Sequence, residues 1–299
     1  MDNKNITAVV VTRNRKDMLR RCIGHLRAQQ GACCSILVVD NASTDGTGEL
    51  LAALAGPDLF CHNTGANLGG AGGFNLGMRL AVERGSDYVW VMDDDCLPEP
   101  DALAELLKAG ESLPGSWGFL SSAVLWTDGS ACRMNRQKLS KNWADCLPLL
   151  GEGLLPVKQA TFVSLLFPAE VIRRAGLPIR EYFIWGDDVE YTRRIAVRMG
   201  LDCYLAGRSR VVHAMQANTG SSIAGDDPSR LDRYRCAFRN EAHLYRLEGF
   251  RGECYYLAKC GVNLLRILLR GRGRRAARAW VLLSSMVRGH FFHPPIEHL

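Results

Sequence analysis

The sequence predicts an α/β fold in which a mostly parallel sheet is wound by helices and followed by a helical C-terminal region. Three observations lead there. Short β-branched runs alternate with helical apolar patterns through the first half, two of those runs end in aspartate, and from Leu231 onward the pattern is helical.

Strands are predicted at Thr7 to Thr12, Ser35 to Asp40 and Asp87 to Met92, each an apolar run bounded by polar residues. Between the first two, Lys16 to Gln30 sets Met18, Leu19, Cys22, Ile23 and Leu26 at helical spacing. Gly70 to Arg84 does the same with Phe74, Leu76, Met78, Leu80 and Ala81, giving the order β-α-β-α-(β)-α-β. In the second half Gln159 to Phe167 reads as a buried strand, Asp187 to Met199 as a helix, and Asp202 to Leu205 with Val211 to Val212 as short strands. Breaks at Gly249, Gly252 and Gly271-Arg272-Gly273 divide the helical remainder, so the expected organisation is a catalytic domain over 1–248 and a basic helical region over 249–299.

With 47% hydrophobic and 23% charged residues over 299 positions, neither disorder nor a coiled coil is expected. The 11 cysteines are odd in number, form no CxxC pair and include the adjacent Cys33 and Cys34, so mostly buried thiols in a reducing cytoplasm are expected. The run from Lys4 into Ile6 to Val11 lacks the pattern of a secretion signal, and Arg266 interrupts the longest late apolar stretch, so no membrane span is expected. The net charge of +6 is uneven: from Glu253 to Leu299, Lys259 and the arginines at 266, 270, 272, 274, 275, 278 and 288 face only Glu253 and Glu297.

The strongest chemical signal is Val89-Trp90-Val91-Met92-Asp93-Asp94-Asp95, an apolar strand that delivers three carboxylates. Like charges this close raise one another's pKa, and a divalent cation removes that cost. Carboxylate oxygens suit Mg2+ or Mn2+, whose shells are completed by diphosphate and water. On an extended backbone Asp93 and Asp95 point one way and Asp94 another. The ordinary alternative is a solvated turn before Pro98. The second signal, Phe183-Ile184-Trp185-Gly186-Asp187-Asp188-Val189-Glu190-Tyr191, feeds carboxylates into a helix start, where they can also serve as caps. In the third, Asn67-Leu68-Gly69-Gly70-Ala71-Gly72-Gly73-Phe74, glycines before a helix let backbone N–H groups approach an anion or sugar ring, or simply make a tight turn. His213 is either a core histidine or a further metal ligand.

As a set, Val10-Val11-Thr12-Arg13-Asn14-Arg15, Val38 to Thr47, the aspartate triplet, Trp185-Gly186-Asp187-Asp188 and His213 resemble family 2 GT-A glycosyltransferases over roughly residues 5 to 240. Asn67 to Phe74 with Ile184 to Tyr191 is most similar to the galactofuranosyltransferases of that family. The resemblance implies a GT-A fold and inverting transfer of galactofuranose from a UDP-sugar donor to a hydroxyl of a lipid-linked glycan acceptor. A rhamnosyltransferase using dTDP-rhamnose is the alternative.

It also implies roles. Thr12, Arg13 and Asp40 hold the nucleotide, with Arg13 meeting the diphosphate charge; Asn67, Gly70, Asp94 and Arg239 are also on the donor, Arg239 at the diphosphate from a helix where Tyr234 and Asn240 match the family pattern as well; Asp93, Asp95 and His213 bind Mn2+ or Mg2+. Asp188 is the base, with Asp187 as substitute, and Trp185 and Asp187 flank the acceptor. A nucleotidyltransferase leaves the Asp188 motif without a role. A non-catalytic glycan-binding protein on a transferase fold predicts losses among Asp93, Asp95, Asp188 and His213, and all four are present. In the tail, Leu264 to Arg270 and Arg272 to Val287 suggest two amphipathic helices with basic edges that lie on an anionic membrane surface, peripheral at the inner face of a bacterial cell membrane. The alternative is that they pack on the catalytic domain or on a second copy in a homo-oligomer. No nucleic-acid module accompanies the charge, so no nucleic-acid partner is expected.

Overall fold

The computed structural model describes residues 4–299. Its first half is built from β1 (Ile6–Thr12), α1 (Lys16–Arg27), β2 (Ser35–Asp40), α2 (Thr47–Ala53), β3 (Leu59–Asn63), α3 (Gly69–Glu83), β4 (Tyr88–Asp93), β5 (Cys96–Pro98) and α4 (Ala102–Ser112). Then come β6 (Leu120–Leu125), β7 (Lys138–Leu139), α5 (Trp143–Leu150), β8 (Leu154–Gln159), β9 (Leu165–Pro168), α6 (Ala169–Ala175), α7 (Asp187–Arg193) and β10 (Tyr204–His213). Three helices follow, α8 (Leu231–Arg246), α9 (Gly249–Arg270) and α10 (Arg275–His290).

The strands lie in the order β3-β2-β1-β4-β9-β6-β10-β8-β7, with β5 paired to β10. From β3 to β4 all pairs are parallel. Because helices cover both faces there, every residue of β1 is buried rather than every second one. Ala8 and Val10 pack toward Leu19, Cys22 and Ile23 of α1, while Val9 and Val11 pack toward Phe74 and Met78 of α3. Parallel pairing also sends the C-terminal ends of β1, β2 and β4 to one edge, which is where Thr12, Asp40 and Asp93 come together.

The second half departs from expectation in three places. The predicted strand from Gln159 to Phe167 is two strands, β8 and β9, separated at Ala160 to Ser164. The predicted helix to Met199 is α-helical only to Arg193 and continues as a π turn over Arg194–Arg198. The two predicted short strands are one, β10, whose pairing with β6 is interrupted by a bulge between Ala206 and Arg210. All 11 cysteines are free thiols, and six of them are buried.

α8, α9 and α10 share a separate apolar cluster that includes Tyr234, Phe238, Tyr256, Ile267, Val281 and Leu282, against which Trp185 and Val189 also pack. Each fully buried side chain of this kind contributes about 1.5–3 kcal/mol. An exposed ion pair contributes about 0–1 kcal/mol. Apolar burial is therefore the larger contribution that fastens the helical region to the sheet domain. One basic position was expected on an edge and is not there: Arg278 is fully buried, its guanidinium donating to the carbonyls of Ile223, Asp226, Arg272 and Gly273 at 2.6–3.0 Å. It closes the turn between α9 and α10.

Beyond α10 the chain returns to the sheet domain. Phe292 packs against Tyr182 and His243, with the Arg239 guanidinium 4.0 Å from its ring centre. Glu297 pairs with Arg79 at 2.8 Å and Arg180 at 3.0 Å, and its carbonyl accepts from Leu177 N.

Candidate active site

Strand β4 ends at Asp93, and the chain turns through Asp94 and Asp95 before β5. The alternation expected of an extended triplet therefore does not apply. Thr12 Oγ1 at the end of β1 donates to Asp94 Oδ2 at 2.7 Å. Arg15 Nη1 bridges Asp94 Oδ1 at 3.3 Å and Asp95 Oδ2 at 2.5 Å. β10 pairs antiparallel with β5 so that His213 stands opposite Cys96, and this brings His213 Nε2 to 3.0 Å from Asp95 Oδ1. On its other side His213 Nδ1 lies 2.7 Å from Asn135 Oδ1; an amide oxygen only accepts, so Nδ1 carries a proton and Nε2 faces the triplet.

Burial, then the charge of Asp95, raises Asp93 to about 8. Burial raises Asp94 to about 6, opposed by the bonds from Thr12 and Arg15. Burial acts the same way on Asp95, but His213 and Arg15 outweigh it and hold that carboxyl below its usual range. Asp95 Oδ1 is buried and, despite its closeness to His213, has no aligned hydrogen-bond donor. An orphaned carboxylate oxygen beside an imidazole nitrogen and a second buried carboxylate is a donor set that suits Mn2+ or Mg2+. Among the described residues no three His, Cys, Asp or Glu side chains enclose a cation by themselves.

The second carboxylate pair is presented by a strained turn. Phe183, Trp185 and Gly186 have φ of 62°, 63° and 92°, so two non-glycine residues occupy the left-handed region. Asn240 of α8 holds the turn: its Nδ2 donates to Tyr182 O, Ile184 O and Trp185 O at 3.0, 3.3 and 2.7 Å. Gly186 then caps α7, whose first residues are Asp187 and Asp188. Asp188 Oδ1 accepts from Val189 N at 2.7 Å. Burial raises Asp188 to about 6, while backbone N–H bonds favour its ionised form. Burial and the neighbouring Asp188 charge push Asp187 well above the carboxylate range.

One cleft of about 900 Å³ joins the two groups, lined by Asp93 and His213 and by Trp185, Asp187 and Asp188, and reaching α9. A second, shallower cavity of about 450 Å³ lies at the end of β2 beside Asp40, Ser43 and Asn63. Asp40 uses one oxygen to accept from Ser43 N and the other from Asn63 Nδ2, both at 3.0 Å.

With this geometry the comparisons with known proteins agree. Residues 7–115 match the family described as Glycosyl transferase family 2. Over 271 residues the chain is 31% identical to galactofuranosyltransferase GlfT1 of Mycolicibacterium smegmatis, spanning 82% of this chain and 84% of that protein. The chain belongs to glycosyltransferase family 2. Galactofuranosyltransferase GlfT1 of Mycobacterium tuberculosis is 36% identical over 207 residues, a match that spans 66% of each protein and so just under two thirds of the relative. Among solved structures, GalNAc-T7 with UDP, GalNAc and Mn2+ gives a TM-score of 0.60 at 15% identity over 78% of this chain and 48% of that one. Mannosyltransferase PcManGT of Pyrobaculum calidifontis, in complex with GDP-Man and Mn2+, gives 0.56 at 18% identity over 96% and 86%. These likenesses establish the fold of this family 2 glycosyltransferase as GT-A.

Several residues stand elsewhere than the family pattern implied. Arg239 does not line the cleft; its Nη2 donates to Glu181 O, Tyr182 O and Asn240 Oδ1 at 2.8, 3.2 and 2.8 Å, so it braces the strained turn. Arg13 is exposed and has no ion pair among the described residues, whereas Arg15 is turned to the triplet. Asn67 Oδ1 accepts from Gly69 N at 3.0 Å and forms a local turn. Of the glycine run, only Gly70 faces open space and lines the cleft. At Gly69, Gly72 and Gly73 a Cβ would meet Phe183, Leu68 and Val11 at 2.1, 2.6 and 2.5 Å, so these glycines serve close packing of α3. Arg15, Asn135 and Asn240 were not singled out from sequence for these roles. Arg15 carried a signal as the second arginine of Arg13-Asn14-Arg15, and Asn240 as part of the pattern it shares with Tyr234 and Arg239.

Proposed function

We propose that this chain is an inverting, metal-dependent transferase that moves galactofuranose from UDP-galactofuranose to a hydroxyl of a lipid-linked glycan in cell-surface polysaccharide synthesis. The observation that carries the proposal is the shared cleft, which sets Asp93 and His213 facing the same space as Asp187 and Asp188. The names and identities of the two GlfT1 relatives support the donor sugar.

Asp93, Asp95 and His213 would hold Mn2+ or Mg2+, with diphosphate and water oxygens completing the shell. Bound there, the ion supplies positive charge against the departing UDP. Thr12 and Asp94 hold the floor of the donor site, and Arg15 takes the diphosphate role assigned from sequence to Arg13 and Arg239. Asp40, at the second cavity, supports a nucleoside position beside β2, and Gly70 lets the donor pass close to α3. Asp188 takes the proton of the acceptor hydroxyl as that oxygen attacks the anomeric carbon opposite the diphosphate. Asp187 faces the acceptor, and Trp185 forms a wall beside it. A single basic carboxylate suffices for direct displacement with inversion.

Association with a membrane face is supported by the side chains that α9 and α10 leave in solvent: Phe250, Leu269, Trp280 and Val287 are 80%, 68%, 66% and 62% exposed. No helix among the described residues is long and apolar enough to cross a membrane. The test is a donor screen with Mn2+ and a short galactoside acceptor. UDP-galactofuranose should turn over and UDP-galactopyranose and dTDP-rhamnose should not. Turnover with dTDP-rhamnose alone would overturn the sugar assignment and leave the fold standing.

A further inference from the structure

Between the aspartate triplet and Asp188 the cleft has a wall of its own, the loop 160–164 that joins β8 to β9, of which Thr161, Phe162 and Val163 face the cleft. The loop is held at three points. Thr192 Oγ1 of α7 accepts from Ala160 N at 3.3 Å and lies 3.2 Å from Ala160 O and 2.7 Å from Asp188 O. Ser164, with φ of 62°, bonds Ser122 Oγ at 2.6 Å and accepts from Trp90 Nε1 at 2.8 Å. Val163 N donates to Thr161 O at 2.7 Å, which closes a tight turn around Phe162. The Phe162 N–H is in turn one of the backbone donors that favour the ionised form of Asp188.

Thr161 thus has a fixed place beside the second carboxylate pair, and its side chain is tied to the first. Asn135 Nδ2 donates to Thr161 Oγ1 at 2.7 Å, while Asn135 Oδ1 lies 2.7 Å from His213 Nδ1 and accepts from Cys132 Sγ at 2.9 Å. These bonds have one sense. His213 offers a lone pair at Nε2 only when Nδ1 carries the proton, so Asn135 turns its oxygen to the imidazole and its NH2 to Thr161. Thr161 Oγ1 is thereby an acceptor from Asn135, and among the described residues its own proton has no partner. That proton is free to point into the cleft.

A displacement with inversion sets the anomeric carbon between the diphosphate, held at the triplet, and the attacking hydroxyl, held at Asp188. The stretch of cleft in front of Thr161 then receives the sugar ring in transit, a neutral group whose hydroxyl oxygens accept hydrogen bonds. We infer that Thr161 is a specificity-determining residue of the transfer: it donates its hydroxyl proton to a ring hydroxyl of the donor sugar, in a direction fixed by Asn135 and His213. The inference rests on the transfer reading for the course of the reaction and goes beyond it in assigning a contact to the sugar itself. It also joins two tasks, because the tautomer of the imidazole at the triplet decides which way the sugar-facing hydroxyl points.

The experiment is calorimetric titration of the full chain with Mn2+ and no acceptor, using whichever of UDP-galactofuranose and dTDP-rhamnose the wild type transfers, and the matching nucleoside diphosphate alone. The ratio of the two affinities reports the sugar and cancels changes at the metal, and retained affinity for the nucleoside diphosphate reports that each variant is folded. Thr161→Val keeps the side chain's shape, removes its hydroxyl and should lower the ratio about tenfold; Thr161→Ser should hold it within about threefold of the wild type. Asn135→Asp still accepts from His213 but now also takes the Thr161 proton, so it should lower the ratio as Thr161→Val does and add nothing when the two are combined. An unchanged ratio in Thr161→Val, or a loss shared equally by the nucleoside diphosphate, overturns the contact. A full further loss on combining the two substitutions overturns the part given to Asn135. A wild type that transfers neither sugar overturns the transfer reading and the contact with it, and that failure shows before any variant is compared.

Discussion

Asp188 has the environment of a proton acceptor that works near neutrality: its carboxyl is raised to about 6 by burial, yet it accepts the N–H of Val189 and so is mostly ionised at pH 7. Asp188→Asn should bind UDP with Mn2+ as the wild type does and lose about 10²–10⁴-fold in kcat. Because the ionised form is the active one, wild-type kcat/KM should be full above this pKa and fall as pH drops through about 6. A limb that persists at the same pH in the residual activity of Asp188→Asn would assign it to another group. Arg15 presents a different case, since its guanidinium is half exposed while Asp94 and Asp95 are buried. Arg15→Gln should lower stability by about 1 kcal/mol, less than loss of a fully buried partner costs, and weaken UDP binding; thermal unfolding with and without UDP measures both. The carboxylates were legible in the sequence because three adjacent aspartates after an apolar strand stand out. Their partners were not. Arg15 lies 80 positions from Asp95 and Asn135 lies 78 from His213, and sequence reveals a residue's type without the direction of its side chain. Arg239 shows the same limit: its place in the helix was legible, and the backbone carbonyls it donates to were not.

At the scale of elements, α3 tests whether its glycines serve a ligand or the packing. Gly69 has φ of 73°, and a Cβ there would stand 2.1 Å from Phe183 O, whereas Gly70 has nothing within 4 Å. Gly69→Ala should therefore destabilise the chain by about 2–4 kcal/mol and, because Phe183 belongs to the turn before Asp188, lower kcat as well. Gly70→Ala should leave the melting temperature nearly unchanged and raise the donor KM. Similar melting of the two variants would remove the distinction. The elements legible in sequence were those whose apolar pattern is set locally. β1, β2, α1 and α3 lie within a few residues of the predicted bounds because a strand covered on both faces is a continuous β-branched run and a covered helix shows its 3.6-residue period. β10 was read as two fragments since its bulge places Gly207, Arg208 and Ser209 between the apolar ends. The π turn at Arg194–Arg198 was missed because it adds a residue to the turn without changing composition.

For the molecule as a whole, the basic tail shows what composition conceals. Counting charge placed Arg278 among surface cations, but the structure spends it inside, on four carbonyls. The return of residues 291–299 to the sheet domain was likewise invisible, since contacts through Phe292 and Glu297 join regions far apart in the chain. Removing residues 291–299 takes away the ring that packs on Tyr182 and the carboxylate that pairs with Arg79 and Arg180. The shortened chain should melt several degrees lower and lose more in kcat than in UDP affinity, because Tyr182 begins the turn that carries Asp187 and Asp188. Equal losses in both would show that the segment supports the fold at large. The same closure has a bearing on time. Arg79 and Glu297 are 218 residues apart, and joining ends so distant costs about 5 kcal/mol of chain entropy before any contact repays it. Helical and sheet signals should thus recover early in renaturation, and catalytic competence should lag behind them, arriving with the slowest kinetic phase.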